Sequence, residues 1–297
     1  MMRIFVSGAS GLVGRYVVNG LQQAGHTVIA GTRNDPPPGW FTRPAQFRRL
    51  ILEPNMDQAT AFQDVDAFVH AAFDHVAGRY RGGEGNDPDG FWHRNLAGSV
   101  RLFENAKSAG VGHVVFLSSR AVYDDLPLKT VPFEDTALRP TSLYGKLKLA
   151  TEEALAGLAS PVFRTTSFRL TGVYGNLRPN KWDKLVRAYL DGEAVPVRAG
   201  SEVHGQDVAR AILLLLEKSP PQGVPQTFNI SDILTDTATI LTTIKRTTGC
   251  PHPLPADAGK TSVTIMPTDR IRRLGWRPGG LPLLLKTVEE LAGSLSR

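Results

Sequence analysis

Ser119, Tyr144 and Lys148 carry the side chain types that can move a proton to or from a carbinol or carbonyl oxygen. Tyrosine and lysine four residues apart project from one face of a helix. A free phenol, with a pKa near about 10, is a poor base at neutral pH. A cation held within about 4–6 Å favours the phenolate and lowers that value. Lys148 would supply the cation, Tyr144 the proton relay, and the Ser119 hydroxyl a hydrogen bond that orients the substrate oxygen. Such a Tyr–Lys pair also decorates many solvated helix faces, so its meaning depends on the elements that hold it.

Those elements are legible. Ser119 ends the run Val114-Val115-Phe116-Leu117-Ser118-Ser119, a buried strand closing in two small hydroxyls. Tyr144 and Lys148 open a helix, with cap-type hydroxyls at Thr141 and Ser142 and good helix formers from Lys146 to Ala150. At the other end of the chain, residues 3–7 make a short apolar strand, followed by Gly8-Ala9-Ser10-Gly11-Leu12-Val13-Gly14 and a helical pattern over 12–24 that stops at Gly25. Strand, glycine-rich turn and helix are the context a dinucleotide fingerprint requires. Gly8 permits the tight turn, Gly11 lets the backbone approach a pyrophosphate, and Gly14 lets the helix pack close to the strand. The helix start, with Ser10, Gly11, Leu12 and Val13, then offers N–H groups and a positive dipole end to phosphates.

Further strands are expected at 27–30, 49–52 and 65–72, the last ending in His70-Ala71-Ala72, small enough for a cofactor to lie across. His70 reads as a hydrogen-bonded strand-end histidine rather than a catalyst. The second strand runs into Gly31-Thr32-Arg33, where a carboxylate would meet a free ribose 2′-hydroxyl. Taking Gly31 as that position leaves no acid there, and Arg33 can pair with a 2′-phosphate through its planar fork. NADP is therefore expected to bind at least as well as NAD. The polar loop 73–90, with Arg79 and Arg81, follows a strand on the ligand side of such sheets and can meet a small anion. Helices are expected at 91–109, 182–190, 206–218, 237–248 and 281–295, and strands at 161–170, 193–197 and 226–230.

Composition narrows the class. With 297 residues, 41% hydrophobic and 21% charged, the chain can bury a sizeable core. No apolar run is long enough to cross a membrane. The early start of the first strand and the single cysteine, Cys250, lead to the expectation of a cytoplasmic protein without a signal peptide. The net charge of +6 is scattered, its densest group (Arg43, Arg48, Arg49) interrupted by apolar residues and prolines, so no nucleic-acid partner is expected. The histidines show no metal-ligand spacing, and no metal is expected. The expected partner is a small-molecule substrate, with a homodimer left open.

In this order the motifs resemble the extended short-chain dehydrogenase/reductase family, in its NAD-dependent epimerase/dehydratase branch. The resemblance covers almost the whole length. It rests on Ser7-Gly8 with Gly11 and Gly14, His70-Ala71-Ala72, Asn95 with Leu96-Ala97-Gly98, and Ser118-Ser119 before Arg120-Ala121-Val122-Tyr123. Tyr144 and Lys148, Arg169 to Gly175, His204 with Asp207-Val208-Ala209, and Asp269 with Leu274-Gly275-Trp276-Arg277-Pro278 complete it. It implies an α/β fold: a Rossmann-type doubly wound parallel sheet with a smaller C-terminal substrate-binding lobe. Residues 1–175 would bind the cofactor, with parts of 200–230 completing the sheet, and 176–297 would mainly bind substrate. It implies Ser119, Tyr144 and Lys148 as the catalytic trio. The cofactor would meet Gly8, Ser10, Gly11, Leu12, Val13, Arg33, Ala71, Ala72, Asn95, Ser118, Tyr144, Lys148 and Leu170.

The chain also departs from the family. An arginine that grips the nucleotide phosphate in many sugar-nucleotide members is Gly200 here, and an asparagine of the substrate turn is Gly172. The expected function is therefore NAD(P)-dependent hydride transfer on a secondary alcohol or ketone of a sugar-like substrate smaller than a nucleotide sugar. The alternative is a nucleotide-sugar epimerase or dehydratase with tightly bound NAD. A non-catalytic dinucleotide-binding regulator is disfavoured, because both Tyr144 and Lys148 are present.

Overall fold

Parallel strands buried on both faces are apolar at nearly every position, and the first strands of the computed structural model follow that rule. The structure describes residues 1–76, 83–127, 130–218 and 223–294. In chain order the elements are β1 (Arg3–Ser7), α1 (Leu12–Gln23), β2 (Thr27–Thr32), β3 (Gln46–Arg49), β4 (Ala67–His70), α2 (Pro88–Ser108), β5 (His113–Ser119) and α3 (Leu143–Gly157). There follow β6 (Arg164–Leu170), β7 (Gly172–Tyr174), α4 (Asp183–Leu190), β8 (Ala199–His204), α5 (Gly205–Lys218), β9 (Gln226–Ile230), β10 (Ile233–Asp236), α6 (Thr237–Thr248), α7 (Asp269–Arg273) and α8 (Gly280–Gly293).

Among the described residues the main sheet has seven strands in the order β3-β2-β1-β4-β5-β6-β9, every neighbouring pair parallel. The chain runs outward from β1 to β3, then crosses back to β4, so a switch point lies between β1 and β4. Crevices at the carboxyl ends of strands on either side of such a point are where open α/β sheets take ligands. Ser7 there pairs with His70, and further along the same edge Ser119 pairs with Leu170. This is the Rossmann-type doubly wound fold expected from the sequence.

Two apolar layers sandwich the sheet. One packs Val17, Val18 and Leu21 of α1 and Ile212 and Leu215 of α5 on β1, β6 and β9. The other packs Leu102, Phe103 and Ala106 of α2 and Leu155 of α3 on Phe5, Phe68 and Val114. A third core joins Tyr174 and Trp182 to α4, α6 and α8. A small sheet, β10-β8-β7, adjoins it through Tyr174 and Ile233.

Several boundaries differ from expectation. The third strand is at 46–49, not 49–52. The strand expected at 193–197 is absent, since Pro196 has no N–H to give to a ladder, and β8 forms at 199–204 instead. Finally, α2 begins at Pro88, because the Asp87 carboxylate accepts the Gly90 N–H at 2.9 Å and proline is tolerated at a first helical position.

Candidate active site

The carboxyl edge of β5 gathers the three residues proposed for proton transfer. Ser119 ends the strand, and its Oγ accepts the Ala121 N–H at 3.2 Å. Ser142 caps α3 by accepting the Gly145 N–H at 3.1 Å. Gly145 lets that helix press on the turn after Ser119: a Cβ there would stand 2.4 Å from the Ala121 carbonyl. One turn in, Lys148 donates from Nζ to the Leu117 carbonyl at 2.9 Å. Its ammonium lies 4.7 Å from the ring centres of Phe73 and Phe116 and 5.8 Å from that of Tyr144. The Tyr144 ring is half-buried, edge-on to Phe73 at 5.3 Å.

Burial pulls the Lys148 ammonium down to about 7, and the Glu152 carboxylate one turn further along opposes that pull. The unfolded chain keeps a lysine protonated to about 10.4. Between these values the unfolded state binds more protons, so through Lys148 the cofactor-free protein gains stability as pH rises from about 7 toward about 10.4. Below that window the cost of burying the charged ammonium is fully present. The expected result is a positive slope of Tm against pH in this range, flattened in Lys148→Met. An unchanged slope in that variant would assign it to other groups.

The glycine turn fits a dinucleotide. Gly8 has φ +62°, and a Cβ on it would lie 2.7 Å from the Ala71 carbonyl and the Ala72 nitrogen. A Cβ on Gly14 would stand 2.2 Å from the Gly8 carbonyl. Gly11 begins α1 with no side chain capping it, so the first N–H groups of the helix, including those of Leu12 and Val13, are left for an anion. Behind the turn runs a directed chain of hydrogen bonds. The Ser99 hydroxyl donates to the Asn95 carbonyl and accepts from His70 Nε2 (2.9 Å). His70 Nδ1 in turn accepts from the Ser7 hydroxyl (2.7 Å), whose oxygen receives the N–H groups of Ala71 and Ala72 at 3.2 Å each. Burial holds the His70 imidazole neutral, its pKa pushed down to about 3. His70 is thus a strand-end histidine that orients the floor of the crevice.

The side chains of several other residues read from sequence are engaged within the protein. Asn95 is buried, and its amide is committed to Asp74 N–H, Asp74 carbonyl and Phe91 carbonyl (2.8, 2.8 and 2.9 Å). It therefore shapes the turn after β4. The Ser118 hydroxyl donates to the Glu152 carboxylate, away from the edge, and Leu170 is packed in the core. Gly31 is not the ribose position: a Cβ there would meet the Phe5 ring at 2.8 Å and Leu50 at 3.2 Å, so a carboxylate would point into the core. β2 ends at Thr32, which is buried, and Arg33 follows it, 74% exposed and 3.5 Å from Asp74 across the switch point. Arg79 and Arg81 lie outside the described residues.

Sequence reasoning missed Trp40. Its indole N–H donates to the Ser10 carbonyl at 3.1 Å while its ring stacks under the Arg15 guanidinium at 4.1 Å, bracing the glycine turn from the loop after β2. The cluster Pro36-Pro37-Pro38-Gly39-Trp40 marks only a loop; nothing local says where its tryptophan lands. Among the described residues no group of His, Cys, Asp or Glu is placed to hold a metal, and no helix is long and apolar enough to cross a membrane.

Comparison with known proteins gives the family and its relatives. The model of the NAD dependent epimerase/dehydratase family matches residues 4–231. The chain is 27% identical to a UDP-glucose 4-epimerase of Corynebacterium glutamicum, over 93% of this chain and 91% of that one. The solved UDP-glucose 4-epimerase of Thermotoga maritima with UDP-glucose has 25% identity and a TM-score of 0.78, covering 99% of this chain and 100% of the other. MoeE5 in complex with UDP-glucose and NAD has 26% identity and a TM-score of 0.79, with 99% of each chain covered.

Proposed function

Because the chain belongs to the NAD dependent epimerase/dehydratase family, among the extended short-chain dehydrogenase/reductase enzymes, we propose that it epimerises a sugar carried on a nucleoside diphosphate. One observation carries the chemistry: Ser119, Tyr144 and Lys148 gather on the same sheet edge as a glycine turn shaped for a dinucleotide. The relatives' names move the weight from net oxidation or reduction of a smaller substrate to the nucleotide-sugar alternative. Residues 1–175, with parts of 200–230, would hold the cofactor, and 176–297 mainly the substrate.

The nicotinamide, when bound, supplies a hydride acceptor and donor. The chain's own residues do the rest. Gly8, Gly11 and the first N–H groups of α1 would hold the pyrophosphate. Ser119 would hold the reacting sugar oxygen, Tyr144 would take and return its proton, and the Lys148 ammonium would favour the phenolate. The test is incubation with UDP-glucose and catalytic NAD, followed by NMR. Conversion to the C4 epimer without accumulating NADH supports the reading; stoichiometric NADH, or no conversion, overturns it.

The MoeE5 complex holds NAD. We infer that this chain also accepts NADP, since neither Gly31 nor Thr32 brings a carboxylate to the end of β2 and the exposed Arg33 can meet a 2′-phosphate. Arg33→Ala is expected to weaken NADP about tenfold and NAD hardly at all, a loss of about 1.4 kcal/mol. Fluorescence titration of both cofactors checks this; equal losses for the two would place Arg33 on the adenine instead.

A further inference from the structure

Near the reaction centre, the small sheet carries a paired charge that proton transfer does not use. Gly172, two residues past Leu170 and so close to Ser119, is in register with Glu202 of β8. The Glu202 carboxylate lies over it: a Cβ on Gly172 would stand 2.6 Å from Oε2. Lys181, just before α4, donates its ammonium to that same oxygen. The two side chains keep 27% and 15% of their surface, so the pair is partly open to solvent. Gly200 shares a strand face with Glu202, and a Cβ on it would meet nothing within 4 Å. Gly172 thus makes room for the Glu202 carboxylate itself, and Gly200 leaves open space beside the ion pair.

We propose that Lys181 is the cation that receives the diphosphate of the substrate, and that Glu202 holds it in reserve until phosphate oxygens displace the carboxylate. This rests on the nucleotide-sugar reading above. Burying a diphosphate needs a cationic donor to offset its desolvation, and neither Gly172 nor Gly200 has a side chain to give one. The Lys181 ammonium has three donors and no fixed fork, so it can exchange one oxyanion for another without moving the backbone. Burial, with the neighbouring Arg198, lowers the proton affinity of Lys181, and the Glu202 carboxylate opposes that pull. The open space over Gly200 is where an incoming anion can enter, and the space over Gly172 is vacated when the carboxylate is displaced. Glu202 is then a competitor: it lowers affinity for any nucleoside diphosphate and admits only substrates whose other contacts make up the difference.

Isothermal titration of UDP into the NAD-loaded protein tests this, with Glu202→Gln and Lys181→Met beside the parent. Glu202→Gln keeps the shape and removes the competing charge, and should tighten UDP about tenfold, the equivalent of about 1.4 kcal/mol. Lys181→Met should weaken it by about the same factor or more. Equal UDP affinity in all three, or weaker binding in Glu202→Gln, would overturn the proposal and leave the pair as a brace between β8 and α4. Should UDP-glucose be epimerised while Lys181→Met binds UDP like the parent, the nucleotide-sugar reading stands and this inference alone fails. UDP binding to none of the three, together with no turnover of UDP-glucose, would sink both. Glu202→Gln decides the matter if Lys181→Met does not fold.

Discussion

Tyr144→Phe should lower turnover by about three orders of magnitude, the range lost with a positioned general acid–base group, while cofactor affinity changes little. The ring packs edge-on against Phe73 and lies beside the Lys148 ammonium, and phenylalanine keeps both contacts. Only the proton carrier is removed. Lys148→Ala differs in kind, because that side chain also ties α3 to the Leu117 carbonyl and contacts the rings of Phe73 and Phe116; it should lose turnover and cofactor binding together. Steady-state rates on the true substrate, with cofactor titrations on the same preparations, separate the two. Full turnover in Tyr144→Phe would remove the tyrosine from the mechanism.

The second large effect is on stability. Glu152→Ala should cost about 3–5 kcal/mol, the usual consequence of stranding one partner of a buried ion pair. Glu152 and Arg169 are each 6% exposed, joined from Nη2 at 2.8 Å and from Nε at 3.1 Å. Solvent screening therefore gives little relief. Arg169 also donates to the Tyr123 hydroxyl at 2.7 Å and the Glu134 carbonyl at 3.0 Å, while Ser118 donates to Glu152. The network binds the residue before Ser119, the helix turn after Lys148 and the strand beside them into one unit. Urea unfolding should show a lowered midpoint at unchanged m. Replacing both partners, Glu152→Leu with Arg169→Met, should recover much of the loss, because no buried charge is then left alone. A loss under about 1 kcal/mol for Glu152→Ala would mean that water reaches Arg169 and supports it there.

Some of this was readable from residues alone. Gly8 and Gly14 announce a turn because backbone crowding there leaves no room for a Cβ, a demand local enough to be written in spacing. Tyr144 and Lys148 are legible as a pair because the helix repeat puts positions four apart on one face. The strand ending in Ser118-Ser119 is legible because a strand buried on both faces must be apolar throughout. The family resemblance added the order of these pieces and the catalytic roles.

Tertiary structure decided the rest. Whether position 31 or 32 faces a ribose depends on how β2 sits against Phe5 and Leu50, and alternation along a strand turns a one-residue misreading into the opposite face. Asn95 carries a polar amide in any reading; only the turn after β4 shows that all of it is committed within the protein. Trp40 reaches Ser10 across 30 residues, Glu152 meets Arg169 across 17, and Lys181 meets Glu202 across 21. Periodicity and turn chemistry act over a few residues and so leave their mark on spacing. The choice of partner for a buried charge or an indole N–H is made by topology, which brings distant segments together and leaves no local pattern behind.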